Sequence, residues 1–151
     1  GKVVWNQHKA RLTDDVTMCR LIYSGDIKDG VLGMATHKNP EKKHWIVMSE
    51  GVGVGSGPNP ERGMVMVVNR GYGVGKYVMS HCVIDVPYEY AVENHLICIR
   101  CAECNEREQL MARYKQITDS LNDPRTTRFI QLYFGNSAIN TAELRDMVPI
   151  Y

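Results

Sequence analysis

Along the first two thirds of the chain, apolar residues come in short runs broken by glycine, proline, asparagine and aspartate; beyond Asn105 they recur every three to four positions. The first pattern is that of strands and the second that of amphipathic helix. Candidate strands cover 16–23, 31–36, 44–49, 64–68, 77–85 and 95–100, each rich in Val, Ile, Met or Tyr. Turn residues separate them, among them Gly25, Asp29-Gly30, Asn39-Pro40, Asn69-Arg70-Gly71 and Pro87. A parallel pair needs a crossover of a dozen residues or more, and most of these gaps are shorter, so antiparallel pairing is expected.

In the last third, Leu110, Met111, Tyr114, Ile117 and Leu121 share one helical face, with Glu106, Arg107, Arg113 and Asp119 mostly opposite. Asn105 is placed to accept from the free N–H groups of the first turn while Glu108 reaches back. Asn122-Asp123-Pro124 ends this helix and opens another, with Asp123 as cap, Pro124 in the first helical position and Gly135 as a stop. A short third helix is expected from Asn140 or Thr141, with Glu143 in its first turn and its end before Pro149. Strands followed by helices is the α+β pattern. The expected architecture is a bent antiparallel β-sheet or small barrel of six or seven strands, followed by a closing amphipathic helix and one or two further C-terminal helices. Residues 1–151 read as one domain: a β-rich part at 12–104, the closing helix at 105–122 and a helical extension at 123–151. A chain of this length buries roughly 70% of its unfolded surface, enough for a core without staples. Gly1 in place of Met reads as the start of a piece excised from a longer protein.

Over about 16–122 the layout resembles the pleckstrin-homology and phosphotyrosine-binding superfold. Two segments carry the resemblance. His44-Trp45-Ile46-Val47-Met48-Ser49-Glu50-Gly51-Val52 is similar to a strand and turn of phosphotyrosine-binding domains, and Met79-Ser80-His81-Cys82-Val83-Ile84-Asp85 resembles their fifth strand. The resemblance implies a bent antiparallel barrel plugged by a C-terminal helix. The closing helix has Tyr114 where pleckstrin-homology domains usually carry Trp. Arg20, Lys28 and Lys38 are too dispersed to form the inositol-phosphate motif of the first hairpin, so lipid binding is not implied. The superfold hosts lipid, peptide and structural roles alike.

With 44% hydrophobic and 23% charged residues and a formal net charge of +1, the composition is that of a globular protein rather than a disordered tail. So balanced a charge argues against a protein devoted to holding duplex DNA. The longest apolar run, 64–68, is far too short to cross a bilayer, and the first residues lack a signal-peptide core. Five cysteines, three of them bunched at Cys98, Cys101 and Cys104, read as reduced thiols in an intracellular protein of cytoplasm or nucleus.

The glycine clusters at 51–57 and 71–76 depart from phosphate-loop and dinucleotide patterns and precede no helical pattern, so they read as hairpin turns at a partner-facing rim. His95, Cys98, Cys101 and Cys104 recur every third residue and offer zinc-type ligands, although strand alternation sends Cys98 and Cys101 to opposite faces. Without such a site these cysteines are small buried hydrophobes and no cofactor is implied. Cys82 with His81, His95 and Asp85 contains the residue types of a cysteine hydrolase, but His81 and Cys82, being adjacent, face opposite ways. The paired acids Asp14-Asp15 and Glu89 with Glu93 read as solvated loop charges. Lys38, Lys42 and Lys43 beside Trp45 suit a phosphate backbone with a stacked base, or a hairpin kept soluble by lysine. Phe129, Tyr133 and Phe134, with Tyr114, concentrate aromatic surface on the helices and suit a protein or peptide partner, a second copy included.

The leading expectation is therefore a non-catalytic interaction domain, adaptor or self-associating, that binds a protein or peptide. Behind it stand a zinc-stabilised RNA- or DNA-binding module and a cysteine-dependent hydrolase.

Overall fold

The computed structural model of the chain describes residues 2–48, 60–70, 79–134 and 139–151. The glycine clusters at 51–57 and 71–76 and the stop at Gly135 lie outside them. Nine short strands precede three helices among these residues: β1 Leu12–Thr13, β2 Cys19–Ile22, β3 Ile27–Lys28, β4 Val31–Leu32, β5 Trp45–Ile46, β6 Val65–Asn69, β7 His81–Ile84, β8 Tyr90–Val92 and β9 Leu96–Ile99, then α1 Arg107–Asn122, α2 Pro124–Phe134 and α3 Thr141–Asp146. The protein is an α+β fold with mostly antiparallel sheets and C-terminal helices.

The strands divide among three sheets: a four-stranded sheet ordered β1-β5-β2-β8, a β3-β4 hairpin, and a three-stranded sheet ordered β7-β6-β9. β6 explains the division. Val65, Met66, Val67 and Val68 are each 2% exposed or less, so this strand is covered on both faces. Alternation sends Val65 and Val67 toward Ile22, Tyr90 and Val92 of the four-stranded sheet, while Met66 and Val68 meet Tyr114, Leu121 and Ile130 of the helices. β9 follows the same division, with Leu96 and Cys98 on the sheet side and Ile97 and Ile99 on the helix side. The result is a layered stack of sheet, sheet and helices. A third cluster, Val3, Leu21, Tyr23, Ile46 and Ala91, lies on the far face of the four-stranded sheet under the N-terminal segment.

One pairing departs from the antiparallel expectation. β8 lies parallel to β2, with Arg20 opposite Tyr90, Leu21 opposite Ala91 and Ile22 opposite Val92. The crossover that permits it is the whole intervening chain, which builds β3 through β7 on the way. Strands β1, β3 and β8 have two or three residues each. Runs that short leave little alternation to detect, and sequence reading passed over all three. The β3-β4 hairpin turns on Asp29 and Gly30, whose φ angles of 52° and 76° are those of a two-residue type I′ turn.

The helices follow their local signals. In α1, Leu110, Tyr114, Ile117 and Leu121 pack on the three-stranded sheet, whereas Met111, expected on the same face, is 51% exposed. Its N-cap is Glu106 rather than Asn105, with no side-chain capping bond. Asp123 opens α2 as expected: its backbone carbonyl accepts from Thr126 N–H (3.0 Å), and its carboxylate from Arg125 N–H (2.8 Å). In α3, Asn140 Oδ1 accepts from Glu143 N–H (2.9 Å) while Glu143 Oε2 accepts from Asn140 N–H (2.8 Å), a reciprocal capping box. Among the described residues no helix is long and apolar enough to cross a membrane.

Candidate functional site

The inner face of the four-stranded sheet is only partly covered. Ile22, Tyr90 and Val92 are sealed by the three-stranded sheet, but on the same face the registered pair Arg20 and Trp45 extends beyond it. There an open cleft of about 750 Å³ forms, walled by Val16, Met18, Met34, Met48 and Tyr88 around Arg20 and Trp45. Val16 is 68% exposed, Met34 50% and Tyr88 47%. Arg20 ties the walls together: its guanidinium donates to the carbonyl of Gly33 and, at 3.4 Å, to the Tyr88 hydroxyl.

On the opposite face of that sheet, at the far end of β2, stands a polar cluster. Asp26 closes a single 3₁₀ turn, Ser24–Asp26, that follows β2 directly. Its carboxylate is 2% exposed and accepts Tyr23 N–H at Oδ2 (2.9 Å) and Ala35 N–H at Oδ1 (2.8 Å). His37, in the segment between β4 and β5, and His44, next to β5, present one ligand-type atom each to Asp26, all within 4.8 Å of one another. The two imidazole centroids are 5.0 Å apart, and the Tyr23 ring meets His37 edge-on at 4.5 Å. His37 Nε2 and His44 Nδ1 are both buried without a hydrogen-bond partner among the described residues. Burial holds the His37 imidazole below its ordinary range, against the opposing pull of Asp26, with His44 and Lys42 adding to the depression. The neutral ring is the form with a free lone pair. Tyr23 is pushed well above the usual phenol range by burial, with Glu93 and Asp26 reinforcing it.

No protein-family model, curated protein or solved structure matches this chain.

The residues singled out from the sequence are distributed differently from expectation. Tyr114 is 1% exposed and bonded to main-chain carbonyls of Met64 and Ile99, so it belongs to the core and offers nothing to a partner. Phe129 and Phe134 pack partly against the same core, and Phe129 stacks on Tyr133 at 4.5 Å. Tyr133 (66% exposed) and Leu132 (71%) are what that helix leaves open. Of the basic group, Lys42 Nζ sits over the rings of Trp5 (5.2 Å) and Tyr23 (5.4 Å), and Lys43 pairs with Asp14 at 2.7 Å. Lys38 is exposed, while Trp45 faces the cleft beside Arg20. The four residues do not form one stripe for a phosphate backbone.

The cysteine set also comes apart. Cys101 and Cys104 are joined as a disulfide just before α1, which removes them as zinc ligands and corrects the reading of all five cysteines as thiols. His95 is bonded through Nδ1 to Glu93 (2.7 Å), and Cys98 lies on β9 with its thiol pushed up by burial. Glu93, read as a solvated charge, is itself 2% exposed. Cys82 is buried, and its thiol is pushed up to about 11, the reverse of what a nucleophile needs. His81 donates through Nδ1 to the Met79 carbonyl (2.9 Å) and Asp85 pairs with Arg107, so neither assembles a relay around that thiol. Asp26 was not singled out from the sequence, and His37 and His44 were read only as part of the basic stretch 37–45, not as metal ligands. The signal available was two histidines seven positions apart, His37 and His44, bracketing the Lys/Pro turn, which said nothing of the aspartate.

Proposed function

We propose that this chain is a protein-interaction domain that receives a protein or peptide segment in the cleft around Trp45 and Arg20. The carrying observation is the side-chain content of that cleft. Trp, Tyr, Arg and Met are the residue types enriched where partners bind, and here Trp45 and Arg20 on the uncovered sheet are ringed by Tyr88, Met18, Met34 and Met48 from the adjoining loops. Methionine side chains adapt to varied apolar shapes, which suits peptide recognition. Arg20, held by Gly33 and Tyr88, keeps the opposing walls in place before a partner arrives, which lowers the ordering cost of association.

This reading moves the binding surface from the aromatic helix to the sheet. The test is selection of binders from a peptide display library on the immobilised chain, followed by titration against Met34→Asp and Tyr88→Ala. Both side chains are about half exposed, so the variants should fold as the parent does by circular dichroism. Selected peptides should bind each variant at least tenfold more weakly. Peptides that bind the double variant as tightly as the parent would remove the cleft, and a matching loss with Tyr133→Asp alone would return the site to the helix.

A further inference from the structure

We propose that Asp26, His37 and His44 form a site for zinc or a like first-row divalent cation, held by two imidazole nitrogens and one carboxylate oxygen. Three separate observations converge on it. The ligand-type atoms already lie within 4.8 Å of one another. Atoms bonded to a single tetrahedral zinc at ~2.0–2.2 Å stand roughly 3.3–3.6 Å apart, so small side-chain rotations close the set. Second, His37 Nε2 and His44 Nδ1 are buried and without hydrogen-bond partners among the described residues. Buried polar atoms are normally bonded, and two such orphans beside one carboxylate share a natural explanation in a cation between them. Third, Asp26 is oriented as a metal-ligating carboxylate usually is: each oxygen accepts one backbone N–H, from Tyr23 and from Ala35, leaving further lone pairs for an ion.

The donor set narrows the ion. Calcium and magnesium prefer shells built of oxygen, and copper(I) prefers thiolate or thioether sulfur. Imidazole with carboxylate suits zinc and its divalent first-row neighbours. Three protein ligands leave a fourth position of a tetrahedral ion for water. The site joins the turn after β2 to both ends of the 37–44 segment, so a bound ion would add a link between pieces of chain already joined by ring contacts and by the Tyr23 hydroxyl, which donates to the Lys43 carbonyl (2.8 Å). It stands independently of the interaction reading.

The experiment uses the untagged 151-residue chain, stripped with chelator and titrated with zinc by calorimetry, with cobalt(II) as the spectroscopic probe. One ion per chain is expected, and the cobalt form should show d–d bands without thiolate-to-cobalt charge transfer. His37→Ala and His44→Ala should each weaken zinc binding at least tenfold, while His95→Ala and Cys98→Ser titrate as the parent does. Asp26 also holds the backbone of its turn, so the histidine variants, checked for folding by circular dichroism, carry the decision. Three results would overturn the site: no stoichiometric zinc uptake, a thiolate charge-transfer band, or undiminished binding in the His37→Ala, His44→Ala double variant.

Discussion

Tyr114 decides whether α1 is part of the core or a surface offered to partners, and substituting it separates the two. Its ring is 1% exposed among Met66, Val68, Ile97 and Leu121, and its hydroxyl lies 3.1 Å from the Met64 carbonyl and 3.0 Å from that of Ile99. Met64 immediately precedes β6 and Ile99 ends its partner β9, so one phenol proton, shared between the two carbonyls, pins the helix to the sheet. Tyr114→Phe keeps the ring and leaves the two carbonyls without that donor; a buried polar group so abandoned costs ~1–3 kcal/mol. Tyr114→Ala removes the ring as well, and truncating a buried aromatic costs about 3–5 kcal/mol. Tyr133→Ala, at 66% exposure on the next helix, loses only its ring contact with Phe129 and should cost about 0.5–1.5 kcal/mol. Urea unfolding followed by circular dichroism measures all three, with unchanged m-values confirming that midpoint shifts report stability. If Tyr114→Ala falls within about 1 kcal/mol of Tyr133→Ala, α1 is not docked as described and the helical layer is wrong.

The Cys101–Cys104 disulfide closes a very short loop, so replacing both residues with Ser should cost only ~2 kcal/mol on a chain-entropy estimate. Thermal unfolding of the parent with and without reductant should show the same modest shift, and no shift would mean the bond does not form. Cys82 should resist iodoacetamide at pH 7.5 in the native protein and react fully once unfolded, which mass spectrometry of the labelled thiols would read. Because burial raises its folded value from 9.0 to about 11, its contribution is fully present below pH 9 and is lost as pH rises toward 11. Stability measured across that window should therefore fall, and Cys82→Ala should flatten part of the slope. Asn140→Ala should cost about 1 kcal/mol by removing half of the α3 capping box, and Asn140→Asp should restore most of it. Equal stability of the alanine variant and the parent in urea would show that the box contributes nothing.

Local chemistry made the C-terminal third legible. Pro124 after Asp123, and Asn140 three residues before Glu143, start helices through contacts within a single turn, and both helices begin where those residues say. Asp29-Gly30 likewise makes a hairpin by itself, because only residues tolerant of positive φ fit its two central positions. The cap of α1 was missed by one position, since Glu106 fills it with no side-chain bond to announce itself. The candidate sites fared worse, because each needs residues far apart in sequence. Arg20 meets Trp45 and Tyr88 only after β5 pairs with β2 and β8 returns beside it. Asp26 meets His37 and His44 only once the chain between β2 and β5 has folded back on itself.

What the sequence by itself determined, then, are the α+β class, the starts of α2 and α3 and the tight turn, all set by backbone chemistry within a few residues. The tertiary structure alone decided that the strands split into stacked sheets, that β2 and β8 run parallel, which aromatic residues are buried, and where polar side chains converge. The physical reason is that β6 must be covered on both faces. Apolar pattern shows that such a strand needs partners on each side, but only the packed chain selects which strands and helices supply them.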